Sequence, residues 1–291
     1  MINAFLSVLL WATQATAFKL TLRYTNPFGL LLMASITSFL CLLILYTIGS
    51  NKTIISIFKE LRENLPSALL GLLNPFLYYT VLFNAYNLLK AQEALILNYL
   101  WPIMLTILTA IFLKKPFTIL KILALIISFS GAALVVTKGN FKTLNFTSVP
   151  GTVLAIISTL LWATYWLLNM KDKRPALQKL FYNFFFGTLY LLLLQSLLKL
   201  SEIKTYKAVI GGIYVGLFEM GITFFLWLKA LEKVKDTARV NNVIYLAPFM
   251  SLLFINFILK EKLNPSSILG LLIITVGILI QELSTKFREV Q

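Results

Sequence analysis

Residues 119–136 read ILKILALIISFSGAALVV, and this stretch decides the fold class. It is apolar on every helical face, so it is not the polar/apolar alternation of a membrane β-strand. A run of this kind crosses about 30 Å of hydrocarbon at roughly 1.5 Å per residue. Similar runs fill the chain on both sides of it, and ten are predicted as segments 1 to 10: residues 4–22, 27–49, 65–87, 92–113, 119–137, 150–170, 178–198, 209–230, 240–259 and 265–283. Of the 291 residues 59% are hydrophobic and 13% charged, and the charges gather between the runs. The expected class is an all-α integral membrane protein with little chain left for a soluble domain.

The charges exclude some functions and orient the chain. The formal charge is +15, but the cations are spread over short loops on both faces, which fits headgroup anchoring rather than nucleic-acid binding. Sixteen of the 26 Lys and Arg fall on the side of the N-terminus, so both termini are predicted cytoplasmic in a cell (inner) membrane. ATQATA at 12–17 has the small residues of a cleavage site, yet no Lys or Arg precedes the apolar run, so segment 1 is expected to be retained. The chain has one cysteine, Cys41, and no histidine, which argues against an internal disulfide, a Cys/His metal site and the common nucleophile–base pairs of enzymes. No cofactor and no catalytic role is expected.

An internal repeat organises the segments. LLWAT occurs at 9–13 and again at 160–164, and GLLNPFLYYTVLFNA (71–85) aligns with GLFEMGITFFLWLKA (216–230). At an offset of 146, Tyr99 and Pro102 align with Tyr245 and Pro248, and Gly131 with Gly277. The chain therefore reads as a first repeat at 1–138, a polar junction at 139–149 and a second repeat at 150–291. An odd number of crossings per repeat inverts the second copy, which places a binding site near midplane where the two meet. The Asn-x-Thr match at Asn145 in the junction carries no weight.

Polar and aromatic interruptions mark candidate site residues. Pro102 and Pro248 lie within segments 4 and 9, where a proline lacks its N–H and loosens the carbonyls of Asn98 and Ile244. Loosened carbonyls in hydrocarbon need protein or water partners, so these prolines are expected to kink helices beside a cavity, with Asn98, Asn241 and Asn242 nearby. Glu219, near the middle of segment 8, is the leading candidate for substrate binding and for coupling to protons, because a carboxylate at that depth is costly unless neutral, paired or hydrated. Its repeat mate is Asn74, followed by Pro75, a third kink. Glu93, Glu261 and Glu282 fall near segment ends and are set aside. Trp11, Tyr78, Tyr79, Tyr99, Trp101, Trp162, Tyr165 and Tyr245 lie deeper than an interfacial belt, where their polar atoms need partners. Lys19 and Lys229 read as snorkelling residues, and Ala124, Ser128 and Gly131 as a close-packing face.

Ten segments in two sets of five, LLWAT in each half, NYLWP at 98–102 and the aligned Pro248 resemble the drug/metabolite transporter superfamily, EamA branch, over essentially the whole chain. NYLWP looks most like the YddG-type aromatic amino-acid exporters of bacterial inner membranes. The resemblance implies that segments 1, 3, 4, 6, 8 and 9 surround a cavity, with 2, 5, 7 and 10 outside. Substrate contacts would then fall on Trp11, Asn74, Tyr78, Asn98, Tyr99, Trp101, Trp162, Glu219 and Tyr245. The function expected is a secondary transporter moving small metabolites by alternating access, exporting aromatic or large neutral amino acids. A carrier for a purine, a nucleotide precursor or a cationic compound is the alternative, and a non-transporting membrane scaffold is a third reading. The expected partners are a small-molecule substrate, the bilayer and protons.

Overall fold

The computed structural model describes residues 1–114, 118–140, 147–232 and 243–289. Among these, the chain is helical apart from one isolated bridge between Thr25 and Ile203. Among the described residues, nine helices are long and apolar enough to cross a membrane: α1 (Ile2–Leu22), α2 (Pro27–Ser50), α3 (Pro66–Leu88), α4 (Ala91–Phe112), α5 (Ile119–Val136), α6 (Val149–Lys171), α7 (Ala176–Leu198), α8 (Tyr206–Ala230) and, after the shorter α9 (Ala247–Leu259), α10 (Pro265–Glu289). The N-terminal part of segment 9, with Asn241 and Asn242, and Asn145 of the junction lie outside the described residues.

Local chemistry sets several ends. Asn26 and Ser148 cap α2 and α6 by accepting from the N–H groups of Gly29 (2.8 Å) and Gly151 (3.1 Å), each with a proline in the first helical turn where no N–H is needed. Lys199 and Lys260 end α7 and α9 in left-handed geometry, with φ of 47° and 56°, placing a cation at the negative end of each helix dipole. Large apolar side chains such as Ile44, Ile126, Leu193 and Phe257 are exposed along α2, α5, α7 and α9, as an outer surface in contact with lipid requires.

The packing repeats itself five helices along. The helix α3 packs on α7 as α8 packs on α2; α6 packs on α3 as α1 packs on α8; and α6 packs on α4 as α1 packs on α9. The two outer helices α5 and α10 pair with each other. Their contact is close because it is made of small residues. A Cβ added at Gly131 would meet the Gly270 carbonyl at 2.7 Å, and one added at Gly277 would meet Ser128 Oγ at 2.1 Å and the Ala124 carbonyl at 2.8 Å.

Three helices that line the interior are not regular. In α3 and α8 the segments Leu72–Leu77 and Gly216–Gly221 are π-helical. A π turn takes carbonyls off the ordinary ladder, and in α8 side chains collect them: Trp11 Nε1 donates to the Glu219 carbonyl at 3.3 Å, and Thr223 Oγ1 donates to the Phe218 carbonyl. The third, α4, is broken at Tyr99–Leu100, and Pro102 sits in the first turn of the restarted helix. Tyr245–Leu246 and Pro248 repeat this arrangement at the start of α9. The expected mid-helix kinks at Pro102 and Pro248 are thus corrected: each proline begins a helical piece, a position where its ring and missing N–H cost little. Pro75 does lie inside an irregular turn, with its ring against Gly187 of α7, where a Cβ would meet Pro75 Cδ at 2.5 Å.

Candidate functional site

The irregular stretches converge on a cavity of about 560 Å³. Its wall carries Trp11 and Gln14 of α1, Tyr78 of α3, Asn98, Tyr99 and Trp101 of α4, Trp162, Trp166 and Met170 of α6, Glu219, Phe224 and Trp227 of α8, Tyr245 just before α9, and Gln281 and Glu282 of α10. These residues run from the middle of the helices to the face that holds the N-terminus. Eight of the nine residues expected to contact substrate are therefore brought together.

Glu219 is 7% exposed, and its Oε1 accepts from the Tyr79 hydroxyl at 3.1 Å, joining the two halves of the chain. Tyr79 itself is fully buried behind the wall. Asn98 donates through Nδ2 to Ser158 Oγ at 3.0 Å and accepts through Oδ1 from the Tyr78 hydroxyl at 3.4 Å. The break after Asn98 is thus tied to α3 and α6.

Ring contacts give the wall its continuity. Trp227 meets Trp11 at 5.3 Å between centroids, Trp11 meets Phe224 edge-on at 5.6 Å, Phe224 meets Trp162 at 6.0 Å, and Trp162 meets Tyr78 at 4.6 Å. Tyr165 stacks on Trp162 from outside the cavity. Such contacts hold large side chains in fixed orientations and add to the apolar burial of each ring.

Two expectations are corrected by these positions. Asn74 is fully buried but does not line the cavity, because its backbone leaves helical geometry (φ −144°, ψ 119°) and its side chain does not follow the register that carries Glu219 inward. Its amide lies near the Tyr165 hydroxyl without meeting hydrogen-bond geometry, while Asn183 Nδ2 donates to that hydroxyl at 3.2 Å. Glu282, set aside as a helix-end residue, lines the cavity with Tyr245, so α10 contributes to the wall. Gln14, Trp166 and Trp227 were also missed. Gln14 lies three residues after Trp11 and Trp166 four after Trp162, the spacing of one helical face, which is a signal the sequence does carry. Among the described residues no cluster of His, Cys, Asp or Glu is placed to hold a metal.

The opposite face is occupied by polar contacts. Glu261, between α9 and α10, accepts from the Ala91 N–H at 3.1 Å and from Gln92 Nε2 at 2.8 Å. Lys19 donates to the carbonyls of Tyr86 and Leu89 at 2.7 and 2.8 Å, so it caps the end of α3. On the N-terminal face, Lys229 near the end of α8 lies 4.7 Å from the Phe225 ring centroid.

Fold and cavity together define a multi-pass helical membrane protein built around a small-molecule-sized chamber. The sequence model of the EamA-like transporter family matches residues 1–137 and 149–281, and the chain belongs to that family. Relatives include the uncharacterized transporter YyaM of Bacillus subtilis, 24% identical over 90% of this chain and 86% of its own length. An uncharacterized transporter of Archaeoglobus fulgidus is 25% identical over 94% of this chain and 95% of its own. Against a second Archaeoglobus fulgidus transporter, 26% identical, the match covers 54% of this chain and 56% of that protein. A solved crystal structure superposes with a TM-score of 0.67 over 99% of this chain and 98% of its own, at 20% identity, a likeness of fold. The protein is accordingly a membrane transporter.

Proposed function

We propose that the protein is a secondary transporter that exports small amphipathic metabolites by alternating access. Its substrates pair an amino group with an aromatic or large apolar body, as aromatic and large neutral amino acids do. The observation that carries this reading is Glu219, a carboxylate held by Tyr79 halfway along α8 and facing an aromatic cavity of about 560 Å³. Pockets of roughly 300–1,000 Å³ enclose small metabolites, aromatic rings bury their apolar bodies, and a carboxylate meets an ammonium group. Glu219 is also the group through which protons are coupled in this reading.

Alternating access between inverted repeats is supported by the contacts that recur five helices along. Residue pairs 131/270 and 124/277 of the α5–α10 contact exchange under the 146-residue offset, as a pseudo-two-fold axis demands. The repeats are then 1–138 and 150–291, with the N-terminal face cytoplasmic in the cell (inner) membrane. The alternative, another small metabolite such as a cationic compound, is favoured over a polyanionic one by the wall itself, where no Lys or Arg stands among the described residues.

The test is exchange of labelled tryptophan into liposomes preloaded with unlabelled tryptophan. Wild type is expected to exchange above protein-free liposomes, and Glu219→Gln to lose most of that flux while Glu202→Gln, on an exposed loop, keeps it. Equal flux in the two variants removes Glu219 from the pathway.

A further inference from the structure

A second cavity, of about 610 Å³, opens on the face opposite the mouth of the first. It is enclosed by the ends of α1, α3 and α9, the start of α4, and Thr147 just before α6. Its charged lining is Lys19, Arg23 and Lys90 with one carboxylate, Glu261, whereas the aromatic chamber has no Lys or Arg among the described residues.

The acids near this pocket are committed elsewhere. Glu261 Oε2 accepts from the Ala91 N–H at 3.1 Å and Oε1 from Gln92 Nε2 at 2.8 Å, so it caps α4. Glu93 Oε1, in the first turn of α4, accepts from Thr147 Oγ1 at 2.7 Å. Their fields reach Lys19, which also spends two of its three N–H donors on the carbonyls of Tyr86 and Leu89. Arg23, Lys90 and Asn87 differ: among the described residues their side chains make no hydrogen bond or ion pair, and all three are exposed to the pocket.

Arg23 stands four residues after Lys19, the spacing of one helical face, so two cations share a wall and Lys90 faces them from the start of α4. A guanidinium fork meets two phosphate oxygens at once, and an ammonium adds a point charge. Leu22, Leu88 and Leu259 complete the lining with apolar surface. A basic pocket between transmembrane helices with an apolar edge suits a phosphate headgroup.

We propose that this pocket is an anion site in which Arg23, Lys90 and Asn87 bind a phosphate group. It is separate from the aromatic chamber, and the proposal stands or falls independently of the carrier reading.

Two measurements on the purified full chain test it. Native mass spectrometry compares retention of phosphatidylglycerol with that of phosphatidylcholine, and thermal melting in neutral detergent compares inorganic phosphate with chloride at equal ionic strength. Arg23→Gln/Lys90→Gln is set against Lys204→Gln/Lys207→Gln, an equal loss of charge at exposed positions on the same face. Wild type and the control pair are expected to favour the phosphate probe, and the pocket variant to bind it roughly tenfold more weakly or worse. Arg23→Lys, which keeps the charge and loses the fork, is expected to fall between wild type and the pocket variant, which separates lost binding from lost folding. Preference for phosphatidylglycerol without an effect of inorganic phosphate assigns a lipid headgroup, and the reverse assigns a free anion. A wild type that favours neither probe, a pocket variant that binds like wild type, or a control pair that loses as much overturns the proposal.

Discussion

Gln92 and Glu261 clasp the two halves of the chain on the face opposite the cavity mouth, with Gln92 Nε2 donating to Glu261 Oε1 at 2.8 Å. The clasp has further bonds: Gln92 Nε2 also donates to the Lys262 carbonyl at 2.9 Å, and Gln92 Oε1 accepts from the Asn264 N–H at 3.0 Å. Truncating Gln92 strands these partners, and an unsatisfied buried polar group costs about 1–3 kcal/mol. A shift of about 1.4 kcal/mol changes a two-state equilibrium tenfold. In a Cys41→Ser background, Gln92→Ala is therefore expected to raise labelling of a reporter cysteine at Leu22, on the clasp side, by about tenfold. Unchanged labelling would show that the clasp does not limit access from this face.

Tyr79 gives a cleaner probe of the carboxylate than Glu219 does. Tyr79→Phe keeps the ring against Tyr78 and Phe83 and deletes only the hydroxyl that donates to Glu219. Loss of a hydrogen bond of this kind is worth about 1–3 kcal/mol where the acceptor is charged. Exchange is expected to fall roughly tenfold or more, with a loss of stability no larger than that of one hydrogen bond. Wild-type exchange in the variant would show that Tyr79 does not tune the site.

The α5–α10 contact sets a stability prediction away from the cavity. Gly277→Ala places a methyl 2.1 Å from Ser128 Oγ and 2.8 Å from the Ala124 carbonyl, and a backbone carbonyl cannot rotate away as a side chain can. Overpacking of this sort costs about 1–3 kcal/mol. Thermal melting in detergent should fall for Gly277→Ala and stay level for Ile126→Ala, whose side chain is 61% exposed. Equal melting points would contradict the close approach.

On the N-terminal face, between α6 and α7, burial alone would raise the Asp172 carboxyl, but hydrogen bonds and charge from Arg174 hold it below the usual carboxylate range. Arg174 also donates to Asn64 Oδ1 at 2.7 Å and Ser67 Oγ at 2.9 Å, which ties this loop to the start of α3. A carboxyl depressed in the folded state stabilises above its unfolded pKa, and that contribution is lost as pH falls through the folded value. The melting-point gap between wild type and Asp172→Asn should thus be full at neutral pH and close below about pH 4. A gap independent of pH would mean the contact is steric.

The helices were legible because hydrocarbon leaves no freedom: ILKILALIISFSGAALVV has to be a crossing helix, and α5 is observed as Ile119–Val136. The cavity was legible where a polar or indole side chain sits in the middle of such a run, as Glu219 and Trp162 do. Asn74 fails that rule because its backbone leaves the helix, a local event that apolar periodicity does not encode. Glu282 fails it in the other direction, since distance along the chain to a helix end says nothing about how far a cavity extends towards that end. The breaks at Tyr99 and Tyr245 were read as kinks because a proline's first-turn preference and its mid-helix disruption look alike until the neighbouring backbone is seen.

The gathering of every indole into one chamber makes the protein its own optical sensor. No tryptophan elsewhere contributes background, so its ultraviolet emission reports the polarity and occupancy of that chamber alone. A solute that enters should shift or quench the whole signal, and a lipid or partner that binds on the outer surface should leave it unchanged. Screening for the natural cargo then needs neither a label nor a transport assay.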